Sequence, residues 1–329
     1  KYLKKMRSLL PEGYSDYVLS GGKEGRKPAR ESYMLSDAML GIMRNGWDRD
    51  SVYLDFDMGP WGSNHMNEDQ LSVELYAYGK HLLSNCGRWR YTTSPGITWL
   101  DKAQYFKTTA AYSSVLCDGL VQNQKGAHGM MESNDAFDYA RGLFDGGYGT
   151  IEYKEGDTAE NGLTSTRKSV IDDAWHKREV VFLKEPALFI VKDTLHSPGM
   201  HSLDQIWHFP SDSKLIEGED LVYEDEGVFL RMKQLMPYSS RSIFLGSEKP
   251  FRGWTCPEYN CLEKAYEAEF SFRGENTVKA VTILYPGKGI PELDASIDCA
   301  DGEDTISIVA GGKLYRVHLF DDIAHCIVD

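Results

Sequence analysis

The sequence predicts an all-β fold: a large antiparallel β-sandwich of two or more stacked sheets, with a short N-terminal helical segment. Three observations predict it. Apolar side chains alternate with polar ones at every second residue over much of the chain. Denser apolar runs stand in pairs across tight turns. Gly, Pro, Asp and Asn recur between these segments. A chain of 329 residues with 41% hydrophobic content is long enough to bury a sizeable core.

Taken in order, helical periodicity is confined to the N-terminus and to Trp99 through Ala110. Val52-Tyr-Leu-Asp-Phe-Asp57 alternates, and so does Leu71-Ser-Val-Glu-Leu-Tyr-Ala-Tyr78, where Leu71, Val73, Leu75 and Ala77 share one face. Glu179 to Leu183 and Ala187 to Val191 are denser, are separated by Lys184-Glu185-Pro186, and read as a buried hairpin. Further strands are expected at Gly149 to Tyr153, His201 to Phe209, Gly227 to Met232 and Ser242 to Leu245. Four more are expected at Ala265 to Phe272, Val278 to Tyr285, Thr305 to Ile308 and Leu314 to Leu319. There is no clear internal repeat, and Glu155 to Gly162 reads as a polar loop. Residues 1–35 are expected to form a helical and linker segment, the tail of an upstream helical domain, and residues 36–329 the sandwich. The basic stretch Lys1-Tyr-Leu-Lys-Lys-Met-Arg has no long apolar run or small-residue cleavage site after it, so it is not a signal peptide.

The formal charge of −14 excludes nucleic acid as an expected partner, because phosphate binding needs a basic surface. It argues mildly against a polyanionic substrate, although a local basic groove in a screened acidic protein still holds an anion. No run of ~18 apolar residues is present, so no membrane span is expected. Six cysteines are too few for a disulfide scaffold. Cys256 and Cys261 are the one close pair, and sequence leaves open whether they join. The nucleophile elbow, the phosphate-cradling loop and the dinucleotide fingerprint are all absent. A paired-carboxylate glycosidase stays open, since 50 acidic residues always offer pairs.

Between Gly59 and Gln122 an ordered set of motifs appears: Gly59-Pro-Trp-Gly62, His65-Met-Asn-Glu-Asp69, the Leu71 to Tyr78 strand, Leu82-Leu-Ser-Asn-Cys-Gly87, and Ala111-Tyr-Ser-Ser-Val-Leu-Cys-Asp-Gly119. This series resembles the core signature of the heparinase II/III-like polysaccharide lyases. Arg44-Asn-Gly-Trp-Asp48, His176-x-Arg178, Val191-Lys-Asp193, His201 and Gly253-Trp-Thr-Cys-Pro-Glu-Tyr259 extend the likeness over most of the chain. The resemblance implies an α-helical toroid upstream of a C-terminal β-sandwich, an acidic polysaccharide or oligosaccharide as partner, and a periplasmic or secreted location. It also implies cleavage of a uronic-acid polymer by β-elimination, with most of the catalytic groups on the toroid, so that this part alone is expected to be inactive.

Site residues follow from the same likeness. His65 stands at the first His of the loop, as a supporting acid/base or carboxylate partner, a role suited to an imidazole titrating near neutrality. Arg88, Arg90, Tyr91, Trp61 and Tyr112 are candidates for substrate binding. In Arg88-Trp-Arg-Tyr91, read as a strand, the two guanidiniums share a face and suit sugar carboxylates. A solvated Arg face over core aromatics is the competing reading, and Tyr112 reads first as a packed replacement for the lost ligand and only second as a polar tip in the cleft. Asn67 and Asp69 are expected to shape the loop through side-chain to backbone bonds. Three positions that often hold a structural zinc in this family are Asn67, Asn85 and Tyr112 here, so no metal cofactor is expected. His201 and His208 read as structural histidines. A non-catalytic carbohydrate-binding or scaffold module is the alternative, and a glycoside hydrolase accessory domain a weaker third reading.

Overall fold

The computed structural model describes residues 13–62, 66–89, 102–155, 163–300, 302–321 and 325–329. The chain is built of antiparallel sheets in three layers, and among the described residues α-helix is limited to Tyr14–Leu19 and a single turn at 102–105, as expected of a stacked β-sandwich. A five-stranded meander comes first: Tyr33–Leu35, Leu40–Arg44, Tyr53–Asp57, Val73–Ala77 and Lys80–Leu83. Its alternation holds as read: Leu54 and Phe56, then Val73, Leu75 and Ala77, are buried, while Tyr76 between them is exposed.

The middle layer is a ten-stranded sheet around a ribbon of two long strands, Leu188–His208 and Tyr266–Gly287. Each unites two segments that the sequence suggested were separate. His201 to Phe209 continues the strand begun at Leu188, and Ala265 to Phe272 runs on into Val278 to Tyr285. Between His196 and Met200 the pairing shifts register, and the strand continues beyond it. One half of the ribbon is flanked by Trp175–Leu183 and Val228–Gln234, the other by Val115–Cys117 and Ser240–Leu245. Phe137–Phe144 and His128–Ser133 extend the sheet beyond Trp175–Leu183. The third layer is the four-stranded sheet Leu293–Ala300, Glu303–Ala310, Lys313–Phe320 and Cys326–Val328.

The dense apolar runs are explained by burial on both faces. Val180, Phe182, Phe189 and Val191 point into the core shared with the five-stranded sheet. Val181, Leu183, Leu188 and Ile190 point into the core beneath the four-stranded sheet. Phe182 and Phe189 are register partners and stack with ring centroids 4.3 Å apart. The layers meet closely at Gly142, where an added Cβ would lie 2.3 Å from Leu71 Cδ2.

Helical structure near the expected Trp99 to Ala110 segment reduces to a turn at 102–105 and a 3-10 turn at Thr109–Ala111, with residues 99–101 outside the described residues. Arg88 and Trp89 are not in a strand, which corrects the strand reading of Arg88 to Tyr91. The backbone there makes one bridge, Gly87 to Cys256, and Trp89 is buried in a small cluster with Phe106 and Tyr112. All six cysteines are free thiols, Cys256 and Cys261 included.

Candidate functional site

The loop from Met66 to Leu71 leaves the five-stranded sheet and is held from several sides by backbone-directed hydrogen bonds. Gln70 and Gln122 bond reciprocally: Gln70 N–H donates to Gln122 Oε1 at 3.0 Å, and Gln122 Nε2 donates to the Gln70 carbonyl at 2.9 Å. Glu68 N–H donates to the Lys107 carbonyl at 2.8 Å, which brings the 104–108 turn alongside. The Gly59 to Gly62 turn lies directly on Gly126, where a Cβ would come within 2.3 Å of the Trp61 nitrogen. These constraints converge on a polar cavity of about 260 Å³ lined by Trp61, Met66, Glu68, Gln104, Lys107, Gln124 and Arg167.

Charge within the cavity is concentrated and mixed. Glu68 is buried and ion-paired with Arg167, and Gln124 Nε2 donates to its Oε1 at 3.2 Å. Burial pushes the Glu68 carboxyl up, and the Arg167 charge opposes that shift. Glu68 Oε2 is buried and has no hydrogen-bond partner among the described residues. Lys107 is held below the ordinary lysine range, first by burial and then by the nearby charges of Arg88 and Arg167. Two cations, Arg167 and Lys107, therefore act on the Glu68 carboxylate, and Arg88 is close enough to act on Lys107.

Behind the loop, Arg178 Nη1 donates to the carbonyls of Leu71 and Ser113 at 2.7 and 2.6 Å. Asp193 holds that guanidinium, and His176 Nε2 and Gln205 Nε2 each lie 2.7 Å from the same carboxylate. The loop is thus anchored to the middle sheet by fully buried polar groups.

Of the expected site residues, Trp61 lines the cavity and Arg88 lies within electrostatic reach of it. His65, Arg90 and Tyr91 fall outside the described residues, but Trp61 and Met66, on either side of residues 63–65, both line the cavity. Tyr112 is buried, with its hydroxyl donating to the Phe106 carbonyl at 3.2 Å, the arrangement of a packed residue. Asn67 bonds the Asp69 carboxylate, and the Asp69 carbonyl accepts from Ser72 N–H at 3.0 Å. Burial and the neighbouring Asp57 push Asp69 up to about 7. Glu68, Gln104, Lys107, Gln124 and Arg167 escaped the sequence reading. Their one signal is a charged or amide side chain beside the motif block, which is too common to single out.

The residues present fit zinc poorly. Asn85 Nδ2 donates to Glu74 Oε1 at 2.9 Å, and burial, aided by Asp69, holds the Tyr112 phenol protonated well above its usual range. Zinc prefers thiolate, imidazole or carboxylate. Elsewhere Cys117, Asp118 and His201 come together. However, both His201 ring nitrogens are engaged, Nδ1 by Asp118 at 2.7 Å and Nε2 by the Pro198 carbonyl at 3.0 Å. Burial pushes the Cys117 thiol up to about 12. His208 is buried between Cys86 Sγ and the Ala110 carbonyl, a structural histidine as read, whereas His201 sits at the surface.

A family model described as heparinase II/III-like, C-terminal, matches residues 27–297. The chain belongs to this family. Among curated relatives, a heparin-sulfate lyase of Bacteroides stercoris is 19% identical over 304 residues, 90% of this chain and 41% of the relative. A heparin-sulfate lyase of Pedobacter heparinus is 26% identical over 102 residues, 31% of this chain and 15% of that protein. The crystal structure of the heparan sulfate lyase HepC from Pedobacter heparinus superposes with a TM-score of 0.77 at 20% identity, covering 98% of this chain and 48% of that one. A heparinase III gene product gives 0.78 at 17% identity, covering 97% and 47%. At these identities the structural likeness is one of fold. The chain spans less than half the length of the heparinase II/III-like relatives that it matches, and the motif block from Gly59 to Gly119 falls inside the matched region.

Proposed function

We propose that this chain is the β-sandwich portion of a lyase that cleaves a uronate-containing polysaccharide by β-elimination, with catalysis completed by an α-toroid in the same parent protein. The observation that carries this reading is the pair of cations Lys107 and Arg167 in the wall of the Trp61 cavity. Elimination removes the C5 proton next to the sugar carboxylate and expels the sugar joined through O4. Neutralising the carboxylate makes that proton acidic, a base takes it, and an acid protonates the departing oxygen. Lys107 supplies positive charge beyond that spent on Glu68, Trp61 offers a ring for a pyranose, and Glu68 Oε2, which has no partner among the described residues, can accept from a sugar hydroxyl. His65 is assigned the supporting acid/base role, with Arg90 and Tyr91 as further substrate contacts. We also propose that the family-type zinc position is not used, since Asn67, Asn85 and Tyr112 offer two amides and a protonated phenol.

The test follows ultraviolet absorbance of unsaturated uronate products from the full protein over a panel of acidic polysaccharides. Arg167→Gln, Lys107→Met and His65→Ala are each expected to lower kcat/KM, by roughly 10- to 1000-fold. Full activity in all three would remove the cavity from the mechanism. A folded protein that turns over none of the polymers would favour a carbohydrate-binding or scaffold module instead. Stoichiometric zinc in the purified protein, lost on replacing Asn67 and Asn85 together, would overturn the zinc assignment.

A further inference from the structure

On the other face of the middle sheet, beyond the edge of the four-stranded layer, a cavity of about 540 Å³ is lined by Arg141, Leu143, Asp145, Trp175, Lys177, Thr194, Thr277, Lys279 and Asp321. Register explains how it forms. Leu143, Lys177, Thr194 and Lys279 are successive cross-strand partners, so their side chains make one row across four strands. Trp175, His196 and Thr277 make the next row, and Arg141 heads the row on the other side, with Glu179 and Lys192. The same strand faces continue into Val181, Ile190 and Ile283, which the four-stranded sheet covers. Where that cover stops, apolar side chains give way to cations and hydroxyls.

Two groups at this cavity have no partner among the described residues, and a third, the Lys177 cation, donates to the Asp321 carbonyl at 3.2 Å and is ion-paired with Glu179 at 3.4 Å. Arg141 has no hydrogen-bond or ion-pair partner among the described residues. Thr194 Oγ1 is buried and likewise lacks a partner among them. Lys177 is held below its usual range first by burial, and Lys192 and Arg141 add like-charge repulsion that Glu179 offsets. Two acids line the wall: Asp321 is already bridged by Lys279 and Lys192 at 3.0 and 3.1 Å, and Asp145 is exposed. Trp175 contributes an indole, stacked on His196 at 5.2 Å.

We propose that this cavity is a second saccharide site, taking a pyranose that bears a carboxylate or sulfate. Arg141 and Lys177 receive the anionic group, Thr194 Oγ1 a ring hydroxyl, and Trp175 the sugar's C–H face. The site is separate from the Trp61 cavity, since Lys177, Thr194 and Lys279 alternate with the residues that face the other core. It does not depend on the chain being a lyase.

Fluorine NMR of the full protein labelled with 5-fluorotryptophan tests this, because Trp175 and Trp61 report the two cavities separately. Trp175→Phe and Trp61→Phe assign the resonances. A sulfated uronate tetrasaccharide is expected to shift the Trp175 signal saturably. The shift should survive Arg167→Gln and need roughly tenfold more ligand after Arg141→Gln or Thr194→Val. Arg141 is partly exposed and unpartnered, so its replacement leaves the fold intact. A Trp175 signal that stays still while the tetrasaccharide is raised to millimolar levels overturns the proposal. So does a shift of equal size with cellotetraose or with sodium sulfate alone, or one abolished by Arg167→Gln. A Trp61 signal that fails to move would count against the lyase reading only.

Discussion

Arg178 and Asp193 face each other across neighbouring strands, both wholly buried, and Arg178 binds both carboxylate oxygens, at 2.7 and 3.0 Å. Its remaining nitrogen holds the Leu71 and Ser113 carbonyls. A single guanidinium thus joins the middle sheet to the two segments that frame the Trp61 cavity.

Removing either partner leaves the other charge buried and uncompensated. Asp193→Ala or Arg178→Met is expected to cost about 3–5 kcal/mol of unfolding free energy, measured by urea denaturation. A loss below about 1 kcal/mol would show the pair to be dispensable. Burial alone would push Asp193 up, but Arg178 and His176 more than offset it and hold its carboxyl well below the usual range. A depressed carboxyl contributes stability above its unfolded pKa of about 3.9, lost only as pH falls towards the folded value. The gap between wild type and Asp193→Ala should therefore persist to below pH ~4.

Asp69 has the opposite sign. Its carboxyl is raised to about 7 by burial and by Asp57, so its ionisation opposes folding as pH rises from about 4 through 7. Asp69→Asn should raise Tm relative to wild type at pH 8, with the difference shrinking towards pH ~4. An equal difference at both ends would place the strain elsewhere.

Arg167→Gln should destabilise as well as inactivate, because Glu68 is left as a buried carboxylate without its cation. The expected loss is about 3 kcal/mol near pH 8. It should fade as pH falls and Glu68, whose carboxyl burial already pushes up, takes up a proton. Arg167→Gln combined with Glu68→Gln should recover much of it, and a double variant as unstable as the single one would refute the coupling.

His201 is raised above its ordinary pKa, first by its bond to Asp118. A raised imidazole contributes stability fully below its unfolded pKa of about 6.5, and that contribution is lost as pH rises through the folded value. His201→Gln should lower Tm at pH 5.5 and match wild type at pH 9. The pair is exposed, so the change is small; a deficit that grows with pH would contradict it.

Two strands of the meander and the buried hairpin were legible because burial on one face, or on both, leaves a direct imprint on residue order. Leu54, Phe56, Val73 and Leu75 alternate as the pleat demands, and Val180 to Leu183 are continuous because both sides are covered. The length of the ribbon was not legible. Ser197, Pro198 and Gly199 look like a turn, and the strand runs through them as a bulge because His196 and Met200 on either side pair with Thr277 and Glu275. The strand at Leu40–Arg44 was missed for want of alternation, since Gly41, Ile42 and Met43 are buried in succession. At the site, the motif block located Trp61 and the loop, but Arg167 lies about a hundred positions away and meets Glu68 only through folding.

The paired strands Leu188–His208 and Tyr266–Gly287 each contribute about 70 Å of contour. They touch every layer of the sandwich, so no backbone hinge can divide the protein into independently melting halves. Amide exchange along this ribbon should therefore proceed through one global opening. A protease that spares the surface loops should find the chain either intact or wholly degraded.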